Sequence, residues 1–239
     1  MSNLAMMMGL GSAAGGGGFG FVGFANEISQ NGGSVTVDLS SIDIKAGDLI
    51  IGAHLVGEDA DRRSSMSLTS TGYTLMTEGY ASDTYDAQGE IYGKIADGTE
   101  TSFVTASLGV ASASVVVLVG VFRGVSETIP TNGSTGIEQS GTFTNTDDVN
   151  WSNITGLTSD NILVYIAASG HVAGQPLYDT PSDLDGFQTR AESDDEDVTG
   201  GMGYKIITSE TSFDAETWTV SANGTLSSVF YVTIKLTKA

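Results

Sequence analysis

Short apolar runs rich in β-branched residues recur along the chain from about residue 33, separated by glycine, asparagine, aspartate, serine and threonine. Runs of this kind, bounded by turn-forming residues, are typical of β-strands. No segment sustains the 3.6-residue apolar period of an amphipathic helix. The pattern therefore predicts an all-β chain, with first-half strands at Val35–Leu39, Leu49–Val56, Tyr73–Tyr80, Glu90–Ile95, Ser102–Leu108 and Ser114–Phe122.

The second half of the chain repeats the first at offsets of about 110 to 114 residues. Self-similarity at a nearly constant spacing indicates that one structural unit has been duplicated. Each half, at roughly 95 residues, has the size of a small two-sheet sandwich. The matching segments are Asp48–Ala53 with Asp160–Ala167, Gly72–Leu75 with Gly186–Thr189, Lys94–Ile95 with Lys205–Ile206, Glu100–Phe103 with Glu210–Phe213, and Ser114–Val119 with Ser228–Thr233.

Two arrangements are compatible with this duplication. In the first, which we prefer, a glycine-rich arm (1–32) precedes two tandem antiparallel β-sandwich (jelly-roll-like) modules, 33–129 and 147–239, joined by a linker or crossover (130–146). In the second, both halves build one larger sandwich about a pseudo-twofold axis.

The beginning of the chain combines glycine with large apolar side chains. Glycine lets a backbone approach another surface closely, whereas methionine and phenylalanine left in water promote association. We therefore expect an arm that docks on a partner. The start lacks the positive region of a secretion signal, since its first cation is Lys45. The docking residues predicted are Met6, Met7, Met8, Leu10, Phe19, Phe21 and Phe24.

The chain has 29 acidic and 9 basic side chains, a formal charge of −20, and no cysteine. The absence of cysteine excludes disulfides, thiolate metal sites and cysteine nucleophiles. A strongly negative body repels phosphate groups, so we expect neither nucleic acid nor a membrane among its partners.

Enzymatic chemistry finds little support in the residue pattern. The Gly-x-Ser-x-Gly nucleophile motif is absent, and His54 and His171 lie near the ends of equivalent strands in separate halves, where we expect them to be half-exposed. A pair of carboxylates would suffice for glycoside hydrolysis, but the acids lie mostly in predicted loops and no pair stands out. The sequence therefore predicts a protein that is not an enzyme.

Ligand contacts are predicted at two kinds of loop residue. Calcium binds clustered oxygen ligands in flexible loops, and Asp179, Asp183 and Asp185 are the candidate ligands; we expect no other cofactor. Tyr85 and Tyr178 lie in loops, where an aromatic ring could stack on a glycan. Trp151 and Trp218 lie in segments with a strand pattern, where a large aromatic side chain usually belongs to the core. We therefore expect both tryptophans in the core.

Four segments together carry a resemblance to a known group of proteins: Ala46–Ile51, Ser70–Leu75, Tyr92–Glu100 and Val121–Val125. They resemble tailed-bacteriophage virion surface proteins, of head-decoration or fibre type, with duplicated β-sandwich halves. The family's usual Pro-x-Gly-Trp is here Ser70-Thr-Gly-Tyr73, without proline or tryptophan. The resemblance covers roughly residues 33–239 and implies a fold more strongly than a function.

The resemblance implies a protein made in the host cytoplasm and assembled on the surface of a virion. Its expected partners are other virion proteins, either the major capsid protein or a tail component, and further copies of itself. We therefore predict a non-enzymatic phage structural protein, a head decoration or cement protein anchored by its N-terminal arm. The alternative is a tail-fibre or receptor-binding protein that recognises host surface glycans.

Overall fold

The computed structural model describes residues 18–144, 148–171, 177–192, 197–219 and 228–239. Every regular element in these ranges is a β-strand, which confirms the all-β prediction. The strands are β1 (Gly20–Ser29), β2 (Thr36–Asp38), β3 (Leu49–Gly57), β4 (Thr74–Ala81), β5 (Ala87–Ile95), β6 (Ser102–Val104), β7 (Ser114–Arg123), β8 (Ile137–Phe143), β9 (Asp148–Val149), β10 (Ile154–Thr155), β11 (Asn161–His171), β12 (Gly186–Glu192), β13 (Asp197–Ile206), β14 (Ser212–Phe213), β15 (Trp218–Thr219) and β16 (Val229–Thr237).

The long strands form two five-stranded antiparallel sheets with the same internal order. The first sheet runs β1-β7-β3-β5-β4, and the second runs β8-β16-β11-β13-β12. Strands at corresponding places are those that the sequence repeat relates, for example β3 with β11 and β7 with β16. The duplication seen in the sequence is therefore also a duplication of topology.

The edge strands β1 and β8 lie in segments where we predicted no strand, the arm (1–32) and the linker (130–146). β1 pairs with β7 from Gly20↔Arg123 to Ser29↔Val115, and β8 pairs with β16. Glycine and polar residues interrupt the apolar alternation in both segments, which hides the strand pattern. Each repeat therefore begins one strand earlier than the sequence indicated.

The two sheets pack face to face around one central core. Alternate residues of a strand point to the same face, and those of β3 and β11 that point inward belong to a single buried cluster. β1 lies beside β12, while β4 lies beside β8, as a twofold exchange of the halves requires. The shared core is that of the second arrangement, one larger sandwich built from both halves. The inward residues of these strands are Leu49, Ile51, Ala53, Leu55, Ile162, Val164, Ile166 and Ala168.

Short strand pairs cover the outer face of each sheet. β2 pairs with β6 on the first half, while β9–β15 and β10–β14 belong to the second. The outer core of the first half is mainly aliphatic, whereas that of the second contains Trp151, Tyr165 and Trp218. Trp151 and Trp218 are only 7% and 0% exposed, so their predicted place in the core is confirmed.

Several strand glycines make room for aromatic rings. A Cβ atom on Gly52 would overlap the ring of Phe103, and one on Gly201 would lie 2.7 Å from Tyr178 Cδ2 and 3.0 Å from Trp218 Cζ3. Protein interiors are close-packed, so a ring that rests on a glycine leaves no space for a side chain. This packing explains part of the high glycine content.

Candidate functional site

The root of the N-terminal arm is an aromatic cluster that joins the two sheets. Phe21 of β1 stacks on Tyr204 of β13, with ring centroids 4.3 Å apart and an interplanar angle of 22°. Phe21 also contacts Phe24 at 4.4 Å and Phe122 of β7 at 5.7 Å. Such ring pairs contribute about 0.5–1.5 kcal/mol each beyond the area they bury. β1 is therefore held by both halves of the molecule.

Two further contacts fix the position of β1. Gly124 has φ +67°, and a Cβ on it would lie 3.0 Å from the N and Cα atoms of Phe19, so the close passage of these backbones requires glycine. The Asn26 Nδ2 group donates a hydrogen bond to Gln188 Oε1 at 3.1 Å, across the edges of the two sheets. These two contacts therefore fix the position of Phe19 and of β1 against the rest of the molecule.

The structure corrects the prediction that Phe19, Phe21 and Phe24 dock on a partner. All three are partly buried against the chain's own central core, because Phe21 and Phe24 belong to the edge strand β1 of the first sheet and Phe19 directly precedes it. The remaining predicted docking residues, Met6, Met7, Met8 and Leu10, lie outside the described residues. Docking through them stays a prediction.

The two tyrosines predicted to contact glycans are placed differently. Tyr178 is only 2% exposed, its Oη lies 2.7 Å from Ser169 Oγ, and its ring packs on Trp218. A buried ring cannot stack on a glycan, so the prediction for Tyr178 is wrong. Tyr85 is half-buried, and its carbonyl accepts a hydrogen bond from Ser228 Oγ at 2.8 Å. Glycan contact at Tyr85 stays a prediction.

The three candidate calcium ligands are not gathered around one point. Asp185 accepts hydrogen bonds from Lys205 Nζ at 3.1 Å and from the Ile206 amide at 2.7 Å. Asp183 accepts one from the Glu216 amide at 2.7 Å. Among the residues that the structure describes, no group of three acidic, histidine or cysteine side chains could hold a metal ion. Calcium binding at Asp179, Asp183 and Asp185 stays a prediction.

Both histidines are buried, contrary to the expectation that they are half-exposed. His171 is 1% exposed, and its Nε2 lies 2.7 Å from Thr199 Oγ1. His54 is fully buried in β3, and neither ring nitrogen has a hydrogen-bond partner. Burial lowers the pKa of His54 to about 4, because the charged imidazolium is poorly solvated there.

Among the described residues, four carboxylates are also buried, although the sequence placed most acids in loops. Asp48, Glu58, Asp86 and Glu90 are between 2% and 5% exposed. Glu90 accepts a hydrogen bond from the Tyr92 hydroxyl, and burial raises the pKa of Glu90 to about 6. The alternation of polar residues with small or apolar ones in β5 was the signal that could have revealed this position.

His54, Glu90 and Glu78 form a line across three neighbouring strands, which we call the polar row. In the antiparallel register, His54 of β3 lies opposite Glu90 of β5, and Glu90 lies opposite Glu78 of β4. Directly opposite residues have Cβ atoms about 4.5–5.5 Å apart. The polar row therefore places an imidazole and two carboxylates side by side on the outer face of the first sheet.

A loop, residues 58–66, packs beside the polar row and is held by several polar contacts. The Arg62 amide donates to Gln88 Oε1 at 2.7 Å, and Gln88 Nε2 donates to the Ala60 carbonyl at 3.0 Å. Arg62 also pairs with Glu58 at 2.8 Å. Arg63 Nη1 lies 3.8 Å from Glu78 Oε1. The cations of this loop therefore lie next to the acids of the sheet.

A groove of about 490 Å³ lies between residues 40–44 and 98–101. Hydroxyl groups and the carboxylates of Asp43 and Glu100 line it. Asp43 pairs with Lys45 at 3.2 Å, and Glu100 pairs with Lys94 at 3.0 Å. Both carboxylates are therefore engaged by neighbouring cations.

The positive charges of the body are dispersed in ion pairs. Within the ranges that the structure describes, eight cationic side chains lie within salt-bridge distance of a carboxylate, among them Arg123, which binds Asp48 at 2.7 Å. The electrostatic field of the surface is consequently set by the excess acids.

Comparisons with known proteins identify no relative: no family model matches the chain, and neither a curated protein nor a solved structure gives a significant match. Within the described ranges, no helix has the length and apolar character needed to cross a membrane.

Proposed function

We propose that this chain is a non-enzymatic structural protein of a tailed-phage virion, a decoration protein that docks on the head through the segment before residue 18. The observation that carries the proposal is the way β1 joins this segment to the body. A glycine- and methionine-rich sequence leads directly into an edge strand that is packed against both sheets.

An anchoring segment is useful only if the body resists being pulled away from it. β1 forms a nine-pair antiparallel ladder with β7, so a pull along the strand is opposed by many hydrogen bonds at once. The stack of Phe21 on Tyr204 transfers part of that load to the second sheet. These interactions therefore support the role of β1 as the strand that connects the docking segment to the edge of the first sheet.

The docking contact in this proposal is made by Met6, Met7, Met8 and Leu10. Burying one large apolar side chain contributes about 1.5–3 kcal/mol, and methionine adapts to irregular surfaces. The partners are other virion proteins, chiefly the major capsid protein, together with symmetric copies of the chain. The acidic body then faces the medium and keeps the particles apart through like-charge repulsion.

The experiment compares particles assembled with the full chain and with a chain that starts at residue 18. This shortened chain retains every described strand, so we expect it to fold and to be lost from the particles. A chain with Met6, Met7 and Met8 changed to serine should be lost as well, and a chain with Ser2 and Asn3 changed to alanine is the matched control. Normal occupancy of the shortened chain would overturn the proposal.

Antibody labelling of negatively stained particles locates the protein. Labelling of the head supports a decoration protein, while labelling of tail fibres, together with saturable binding to a glycan array that Tyr85→Ala abolishes, would replace it with the receptor-binding alternative. Turnover of a chromogenic glycoside or ester would overturn the non-enzymatic assignment.

A further inference from the structure

Three asparagines of the chain are followed directly by glycine, a pair that can react with itself in water. The glycine nitrogen attacks the asparagine Cγ atom, a five-membered succinimide ring forms and ammonia leaves, and glycine favours the attack because it has no side chain to obstruct it. Water then opens the ring to aspartate or isoaspartate. The pairs are Asn31-Gly32, Asn132-Gly133 and Asn223-Gly224, of which the last lies outside the described residues.

The first pair, Asn31-Gly32, is held in a way that hinders this reaction. The Gly32 amide donates a hydrogen bond to the Ala113 carbonyl at 2.7 Å, and the Gly32 carbonyl accepts one from the Leu108 amide at 2.8 Å. Gly32 is buried, and a Cβ on it would lie 2.4 Å from the Val110 carbonyl oxygen. Attack by the Gly32 nitrogen therefore requires these hydrogen bonds to open first, which costs free energy.

The second pair, Asn132-Gly133, lies in an exposed turn of the segment that joins the two halves. The Ser134 amide donates to the Thr131 carbonyl at 2.8 Å, and Gly133 has φ +80°, as at the third position of a type II turn. Asn132 and Gly133 are both exposed, and nothing lies within 4 Å of a Cβ on Gly133. In the described part of the chain, the Gly133 amide donates to no acceptor. No hydrogen bond therefore restrains this nitrogen as one restrains that of Gly32.

We propose that Asn132 is a site of spontaneous deamidation and that the fold protects Asn31 from the same reaction. The Gly133 nitrogen loses its proton to the solvent and bonds to Asn132 Cγ. The bond from Cγ to the side-chain nitrogen breaks, and that nitrogen takes up a proton from the solvent and leaves as ammonia. Hydrolysis at one ring carbonyl gives aspartate, and hydrolysis at the other gives isoaspartate. No electrons are gained or lost, and water is the co-reactant.

The reaction changes a turn that is attached to the first sheet. The Asn132 amide donates a hydrogen bond to the Met76 carbonyl of the edge strand β4 at 2.6 Å. Isoaspartate places an extra methylene group in the backbone next to this bond, and either product adds a negative charge to a chain whose formal charge is already −20. We therefore expect the modification to loosen the contact of the turn with β4.

Peptide mapping by mass spectrometry measures the reaction in the full chain, kept at neutral pH and body temperature for several weeks. Digestion after lysine and arginine places Asn31 and Asn132 in different peptides, and fragmentation of each peptide locates the modified residue. Asn132 should deamidate at least about fivefold faster than Asn31, the factor that one hydrogen bond of ordinary strength provides. Equal rates at the two sites, or an Asn132 that does not react, would overturn the proposal.

Two controls separate the effect of the fold from that of the local sequence. In urea concentrated enough to unfold the chain, Asn31 and Asn132 should react at similar rates, because neither glycine amide is then held. A difference that persisted in urea would come from the neighbouring residues, and the fold would have no protective role. In Asn132→Gln, the reaction at position 132 should disappear while that at Asn31 is unchanged, because a glutamine side chain would have to close a less favourable six-membered ring.

Amide hydrogen exchange tests the structural basis of the difference without any variant. The Gly32 amide should exchange slowly and the Gly133 amide rapidly, since exchange also requires a hydrogen-bonded amide to open. Rapid exchange at Gly32 would contradict the protection of Asn31. The inference goes beyond the proposed docking function and does not depend on it, because no residue of the arm takes part in the reaction.

Discussion

A Cβ atom on Gly89 would lie only 2.7 Å from Cδ1 of Phe230, so the Phe230 ring rests on the backbone of the opposite sheet. Phe230 belongs to β16 of the second half, whereas Gly89 belongs to β5 of the first. The ring is also packed over Gly79 of β4. A phenylalanine of one repeat thus fits into a space that two glycines of the other repeat leave open.

We predict that Gly89→Ala destabilises the protein by about 1–3 kcal/mol, because the added methyl group meets both Phe230 and Leu55, at 2.7 Å and 2.8 Å. Phe230→Ala should cost about 3–5 kcal/mol by leaving a cavity between the sheets. Urea unfolding followed by tryptophan fluorescence measures both changes. Gly20→Ala is the matched control, since nothing lies within 4 Å of a Cβ at that position. A stable Gly89→Ala would mean that the two sheets are not in close contact there.

The shared core predicts that the two halves unfold together. Leu55 and Ile166, for example, belong to one buried cluster although they come from different repeats. Calorimetry of the full chain should therefore show one transition, with equal calorimetric and van't Hoff enthalpies. Residues 130–239 expressed alone should expose the inward face of β11 and aggregate. Two separated transitions, or a soluble and folded isolated half, would support the tandem arrangement instead.

Removal of β1 should destabilise the body, whereas a chain that starts at residue 18 should fold. A chain that starts at residue 30 loses the ladder with β7 and the stack of Phe21 on Tyr204. Thermal unfolding of the two shortened chains, side by side, measures the difference. The substitution Phe21→Ala in the full chain tests the aromatic contact alone, and it should also lower the midpoint temperature of thermal unfolding. Equal midpoints for the chains starting at residues 18 and 30 would contradict this account of β1.

Much of the fold could be predicted from the sequence because the repeat and the strand pattern reinforce each other. The segments around Asp48 and Asp160 begin equivalent strands, as the repeat indicated. The choice between separate and shared cores could not be predicted. β3 and β11 are buried on both faces, and such continuous apolar runs do not reveal which face meets the other half.

The candidate site was less predictable, since it depends on contacts between residues distant in the chain. Tyr178 lies next to polar and acidic residues in the sequence, yet Gly201 leaves the space that its ring fills. His54 and Glu90 are 36 residues apart in the numbering and lie opposite each other only through the register of β3 with β5. Phe21 is part of a glycine-rich segment, and only the pairing of β1 with β7 reveals its place in the core.

Alkaline titration should distinguish the buried tyrosines from the rest. Burial raises the pKa of Tyr204 to about 12 and also raises the pKa of Tyr73, Tyr165 and Tyr178, because the phenolate is poorly solvated in the interior. The folded pKa values lie above the unfolded value of about 10, so this contribution to stability is complete below pH 10 and is lost as the pH rises beyond it. The folded protein should therefore ionise only some of its eight tyrosines, and the others should ionise together with unfolding.

Phenolate absorbance in the near ultraviolet, followed together with tryptophan fluorescence, measures this difference. Tyr178→Phe should remove one late-ionising group and leave the early ones unchanged, although it also breaks the contact with Ser169. Ionisation of all eight tyrosines near pH 10 in a protein that keeps its native fluorescence would contradict the burial described for these rings. It would also contradict the packing of the Tyr178 ring over Gly201, which distinguishes the outer core of the second half from that of the first.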